Sequence, residues 1–215
     1  MTYLDIVNNV LRRLREDTVT TVTNDTYSTM VGDFVNDAKQ IVENAWDWSN
    51  LRSTLTLTTA ADDYTYSLTG YQDQGKILNM INDTSNIVME YRPQTWFDDK
   101  YLVNTPTTGE PQYYTFSGID ASGDAQIDVY PKPDGVYSLK VKSVIRNVAL
   151  SGDDNVLAIP SQPVIHMAVA LLARERGETG GTSTAEYFAI ADKYLSDAIA
   201  LDAQKHPEET IWFTP

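Results

Sequence analysis

Thirty carboxylates, two histidines and no cysteine bound what this 215-residue chain can do chemically. Without cysteine there is no thiolate nucleophile, no cysteine metal ligand and no disulfide, a composition that suits a reducing compartment. A Ser-His-Asp arrangement would have to recruit His166 or His206, and neither stands near a G-x-S-x-G nucleophile motif. His166 sits in an apolar run with Val164, Ile165 and Met167, the setting of a core or interface histidine. His206 precedes Pro207 just past an expected helix end, where it would cap the helix. Glycoside hydrolysis needs one carboxyl raised by an apolar pocket and a second close by, and spacing along a chain does not reveal such a pair. The doublets Asp62 and Asp63, Asp98 and Asp99, and Asp153 and Asp154 read as solvated turns. Asp120, Asp124 and Asp128 step by four residues, unlike the alternating ligands and obligatory glycine of an EF-hand. Neither a P-loop nor a G-x-G-x-x-G opening a helix occurs. The expectation is a structural or interaction protein and not an enzyme, with no catalytic residue, cofactor or metal.

Aromatic residues are the more informative chemistry. Tyr113, Tyr114, Phe116, Tyr130 and Tyr137 fall in strand-like stretches, where cross-strand packing accounts for them. The final segment, HPEETIWFTP, differs: it follows a helix terminator and holds Ile211, Trp212 and Phe213 with little partner sequence of its own. Large apolar side chains on a loose tail are costly to leave in water, so this cluster is expected to dock, on its own subunit or on another chain.

The elements that would position these residues separate by period. Leu4, Val7, Val10, Leu11 and Leu14 share one helical face after the start signal of Thr2 and Asp5. A second helix follows Asn24 and Asp25, with Tyr27, Val31, Phe34, Val35, Ala38, Ile41 and Val42 in register. Helical spacing returns near the end, first with Ser161 as N-cap, Pro163 in the first turn, an apolar run from Val164 to Ala173 and Gly177 as stop. A further helix runs through Tyr187, Ile190, Tyr194, Leu195 and Ile199. Between the pairs the period is two: Leu51, Leu55 and Leu57, then Tyr64 to Leu68, then Lys76 to Asn82 and Asn86 to Tyr91 read as an antiparallel meander. PQYYTFSG, AQIDVYP and YSLKVKSVIR add three strands, and Gln94 to Tyr101 reads as a helical turn. The expected fold is α+β: a four-helix bundle of two N-terminal and two C-terminal helices, an inserted antiparallel β-sandwich or curved sheet, and an extended C-terminal tail. Its expected boundaries are residues 1–50 with 160–205 for the bundle, 51–150 for the β-domain and 206–215 for a docking tail.

A formal net charge of −14 repels phosphate chains, so DNA is expected to pass nearby without specific binding. The sequence lacks an apolar run of membrane-spanning length and the basic start of a signal peptide, so a soluble protein with no membrane contact is expected.

Order and spacing carry a resemblance over almost the whole chain. VENAWDWSNLRSTLTLT closes a helix into a strand, GEPQYYTFSG precedes IDVYPKPDGVYSLKVKSVIR, and AIPSQPVIHMAVALLARERG leads to AEYFAIADKYLSDAI. In this the chain resembles the head-to-tail adaptor, or connector, proteins of tailed bacteriophages, particularly the short-tailed kind. The resemblance implies a virion protein of the tail or neck, made in the host cytoplasm and assembled as a homo-oligomeric ring, commonly a dodecamer. That ring would join the portal protein to the tail nozzle protein and line the DNA exit channel. It also implies a C-terminal tail that reaches the portal, which would make Ile211, Trp212 and Phe213 an interface to the portal or a neighbouring subunit. The tail is shorter here than in some members. The alternative is a virion carbohydrate-binding or glycan-cleaving protein, since tyrosine-rich β-surfaces can stack on sugars.

Overall fold

The structure, a computed structural model, describes residues 1–71, 75–177 and 184–205. The chain divides into two compact units, a helical one from Met1–Leu51 with Asn147–Pro215 and a β unit from Arg52–Arg146.

Local signals set the first two helices. In α1 (Tyr3–Arg13), Thr2 and Asp5 exchange backbone-to-side-chain hydrogen bonds of 3.2 Å each, satisfying amides that a helix start leaves open. Its buried face is Tyr3, Ile6, Val7, Val10 and Leu11, rotated from the expected one so that Leu4 and Leu14 lie only partly covered. In α2 (Thr26–Ala45), Asp25 accepts from the Ser28 amide at 2.8 Å and Ser28 Oγ accepts from the Asp25 amide at 3.1 Å. α2 ends where Trp46 turns extended, and Trp48 folds back to donate its indole N–H to the Val42 carbonyl at 2.8 Å.

The central element of this unit is α4 (Ser161–Glu175), ten of whose fifteen residues are buried. Its N-cap is Pro160, with no side-chain capping bond, and Ser161 is the first helical residue instead of the expected cap. Pro163, the third helical residue, has no N–H, so one of the two amides that a capping hydroxyl would serve is absent. Gly177 stops the helix at φ +63°. α5 (Thr184–Ala203) packs on α4, yet among its described side chains only Ala191 and Asp202 are buried.

The helical unit is closed by residues 147–160, which run back along α1 and α2. Lys39, 3% exposed, donates to Glu43 at 3.0 Å and to the Asn147 carbonyl at 2.7 Å. Asn36 presents a whole amide to Leu150, donating to its carbonyl at 3.0 Å and accepting from its N–H at 2.8 Å. Further along, the amides of Tyr3 and Leu4 bond the carbonyls of Asn155 and Asp153, and Val22 N–H donates to Asp153 Oδ1 at 2.9 Å.

The β unit overturns the expected architecture. Among the described residues there are five helices and not four, because Gln94–Asp98 forms a fifth, α3, continued by a π-helical stretch over Asp99–Val103. The seven strands, β1 (Arg52–Thr58), β2 (Thr65–Ser67), β3 (Lys76–Asn82), β4 (Ile87–Tyr91), β5 (Tyr113–Ile119), β6 (Ala125–Tyr130) and β7 (Ser138–Val144), form one mixed sheet and not a sandwich. Their order is β1-β7-β3-β4-β5-β6-β2. β4 and β5 run parallel; the α3 segment between them is long enough for the crossover that parallel pairing demands. Of the expected meander only the β3–β4 hairpin forms, since β1 pairs with β7 and β2 with β6. The sheet curls until its two edge strands, β1 and β2, line one crevice, so it is almost closed as a barrel.

Alternation sends side chains to two faces. Leu68, Met80, Met89, Ile127, Val129, Leu139 and Val141 fill the interior. Tyr113 and Tyr130, opposite each other in the β5–β6 ladder, point the other way and are covered by α3: the Trp96 ring lies 5.1 Å from Tyr113 and 5.2 Å from Tyr130, and Phe97 is 1% exposed.

Candidate functional site

His166, Asp62, Asp63, Asp98, Asp99 and Asp153 are each used by the fold. His166 stacks on Tyr194 at 4.2 Å and 7° between planes, joining α4 to α5. Burial, and then the charge of Arg13, push its pKa below the ordinary histidine value. His206 lies outside the described residues. Asp62 pairs with Lys132 at 3.4 Å, Asp63 accepts from the Tyr64 amide at 2.8 Å, and Asp153 caps Val22. Asp99 pairs with Lys100 at 3.7 Å and Asp98 accepts from Gln94 at 3.4 Å.

The three aspartates at four-residue steps turn to different partners. Asp120 accepts from the amides of Ser122 and Asp124 at 2.8 and 3.0 Å, Asp124 from Gly70 N–H at 3.0 Å, and Asp128 from the Thr65 hydroxyl at 2.7 Å. The Ser67 hydroxyl and the surrounding amides hold the Asp120 carboxyl below its usual range, as expected for a turn carboxylate that stays ionised. Among the described residues no three His, Cys, Asp or Glu side chains gather to hold a metal ion. Nor is any described helix long and apolar enough to cross a membrane.

The tyrosine surface is likewise occupied by its own neighbours. Tyr113 and Tyr130 face Trp96, Arg92 lies 5.1 Å over the Tyr113 ring, and Lys100 lies 5.5 Å over Trp96. Tyr101 stacks on Tyr64 at 4.2 Å and donates its hydroxyl to the Val129 carbonyl at 2.6 Å, while burial raises its pKa. Tyr114 faces the interior, edge-on to Tyr91 at 5.8 Å. Tyr137 donates to Asp134 at 2.5 Å, and that bond pushes its hydroxyl up to about 12.

Two hollows remain. One, of about 470 Å³ in the helical unit, is bordered by Leu11, Asp17, Asn24 and Asp25 and crossed by Arg176, which pairs with Glu16 at 2.7 Å and lies 4.9 Å over the Tyr27 ring. The other, about 120 Å³, is the crevice between the sheet edges, lined by Leu55, Thr56, Leu57 and Thr58 of β1 and by Ser67, Leu68 and Thr69 along β2.

The expected contact residues Ile211, Trp212 and Phe213 lie outside the described residues. What the structure adds is the point from which they depart. Asp202, 5% exposed at the end of α5, accepts from Trp46 Nε1 at 3.2 Å, from the Ser49 amide at 2.9 Å and hydroxyl at 3.0 Å, and from Lys205 Nζ at 2.8 Å. Burial works to raise its pKa, but Lys205 and Ser49 outweigh it and hold the carboxyl below the usual range. The W-x-W of Trp46 and Trp48 was legible as a helix end; its carboxylate partner 156 positions later was not.

Comparison with known proteins yields one family. The SU10 adaptor protein family matches residues 1–210, and no curated protein matches the chain. The chain therefore belongs to the SU10 adaptor family: it is a phage head–tail adaptor, a structural component of the virion neck or tail.

Proposed function

We propose, with that membership as the premise, that copies of this chain close into a ring that seats between portal and tail nozzle and surrounds the DNA exit path. The ring is of the kind found in short-tailed phages, with twelve subunits, and it is assembled from protein made in the host cytoplasm. The observation that carries the reading is the family match along residues 1–210, nearly the whole chain. The charge distribution supports the DNA part: the helical unit holds 18 acidic and 8 basic residues, the β unit 12 and 8. A wall of that sign lets a polyanion slide, whereas a basic stripe would hold it by counterion release.

The C-terminal segment is the assembly anchor in this reading, with Ile211, Trp212 and Phe213 buried against a neighbouring adaptor or the portal. Two large aromatic side chains withdrawn from water contribute roughly 2 kcal/mol each, and a ring multiplies a modest contact by holding each tail near its site.

The test is native mass spectrometry and electron microscopy of the full chain with and without its portal. A closed ring under either condition is the expected result. Monomers or dimers only, in the presence of assembled portal, would end the ring reading. Duplex DNA retained at sub-micromolar affinity in physiological salt would end the sliding-wall part alone.

A further inference from the structure

β1 and β2 follow one another in the chain and run in opposite directions, yet they do not pair. β1 has only β7 as a neighbour and β2 only β6, so each strand keeps one unpaired edge among the described residues. The turn between them is satisfied by other partners. Tyr66 accepts from the Ala60 amide at 3.1 Å and bonds the Asp63 carbonyl at 2.9 Å, while Thr59 bonds Tyr137 and Gly135 of the β6–β7 turn. The hairpin is therefore held splayed, and the crevice below its turn has backbone rims and an apolar floor. Leu55 and Leu57 pack against the interior cluster, and Leu68 belongs to it.

Two features mark this seam as an acceptor. Free sheet edges are normally blunted by lysine, proline or inward charge, because an open edge recruits any strand it meets. Neither Ser53–Thr59 nor Thr65–Thr69 contains a lysine, a proline or an acidic residue. The sheet also curls to near closure with seven strands, so that its two open edges border one crevice.

We propose that the β1–β2 seam accepts Thr210–Thr214 of a second copy of this chain as an eighth strand. Thr210, Ile211, Trp212, Phe213 and Thr214 are all strand formers without charge, bounded by Glu208 and Glu209 on one side and Pro215 on the other. Main-chain pairing supplies the affinity, and alternate side chains over the leucine floor supply the specificity. The segment leaves a fixed point, since Asp202 ties the end of α5 to Trp46 and Ser49. Ten residues in extended form then span roughly 33 Å. Each copy has one tail and one seam, so exchange between copies is a heterologous contact, the type that builds a ring when the rotation per copy closes. This rests on the reading of the tail as an intersubunit anchor and names what receives it.

The chain has no cysteine, which gives disulfide trapping a clean background. Two full-length double variants, Thr56→Cys with Thr210→Cys and Thr56→Cys with Thr214→Cys, bracket the segment. Mild oxidation of the assembled protein should give a ladder of linked multimers in at least one. Amide exchange over residues 53–59 and 65–69 should also be about tenfold slower in full-length assemblies than in a chain lacking residues 210–215. Linkage within single subunits would assign the tail to its own seam and overturn the proposal. Rings that form without any linkage, and with seam exchange indifferent to the tail, would overturn it while leaving the adaptor ring intact. No assembly with portal under any condition would fail the ring reading itself.

Discussion

The two units reach closure by opposite routes. The helical unit is assembled from segments more than a hundred residues apart, and a few directional contacts between them fasten it: Lys39 to Asn147, Asn36 to Leu150, Asp202 to Trp46 and Ser49. The β unit is one contiguous stretch whose ladders and two side-chain clusters repeat the same interaction many times. A unit fastened by buried polar contacts is vulnerable at single atoms, because removing one partner strands the other away from water. A unit held by distributed packing loses stability in proportion to the volume removed.

Lys39→Met should have the largest effect. It removes the buried ammonium that bonds Glu43 at 3.0 Å and the Asn147 carbonyl at 2.7 Å, a loss of about 3–5 kcal/mol, confined to the helical unit. Urea unfolding followed through Trp46 and Trp48 should shift while the Trp96 signal of the β unit does not; equal shifts in both would erase the contrast. Leu139→Ala, at a fully buried position, should reverse the pattern, costing roughly 3 kcal/mol in the transition that Trp96 reports. Asp202→Asn should cost about 1–3 kcal/mol in the helical unit. The same carboxylate predicts acid sensitivity there: its folded pKa is lowered, so its contribution is present above the unfolded value near 3.8 and fades as pH falls through the folded one.

His166 gives the smallest effect and the sharpest control. Its folded pKa lies below 6.5, so in the window between the two values the unfolded chain binds the proton more readily. Stability of the helical unit should thus decline as pH falls from 6.5 toward the folded value and then level off. His166→Phe keeps a ring on Tyr194 and should remove the His166 share of that slope in thermal melts. The β unit contains no histidine, so its melting should not vary across the same window.

What was legible in the sequence follows the range of each interaction. Thr2 with Asp5 and the Asp25 start of α2 act over three residues, and they were visible. The stretches that become strands were also visible, because alternation is a property of the strand alone. Pairing is not: nothing in RSTLTLT specifies β7 over β2, nor does PQYYTFSG announce a parallel neighbour, since register depends on which apolar faces meet. The single mixed sheet was missed for that reason, and the helical turn at Gln94 was seen without its role as a crossover. Asn36, Lys39 and Asp202 carried no signal, being polar residues in helices whose partners are supplied only by the fold. The seam was hidden in the same way: TLTLT reads as an ordinary strand, and only the sheet order shows that one of its edges is left open.

The division of the chain has a consequence for how the protein is made. On a ribosome the apolar faces of α1 and α2 emerge first, but their covering helix α4 begins only at Ser161. At 5–20 residues per second, roughly 110 residues of intervening synthesis leave those faces waiting about 5–20 s. The β unit, being contiguous, can fold as it appears. Vectorial synthesis thus sets an order in which the insert matures inside an unfinished host, and the helical unit is the last part of the chain to be completed.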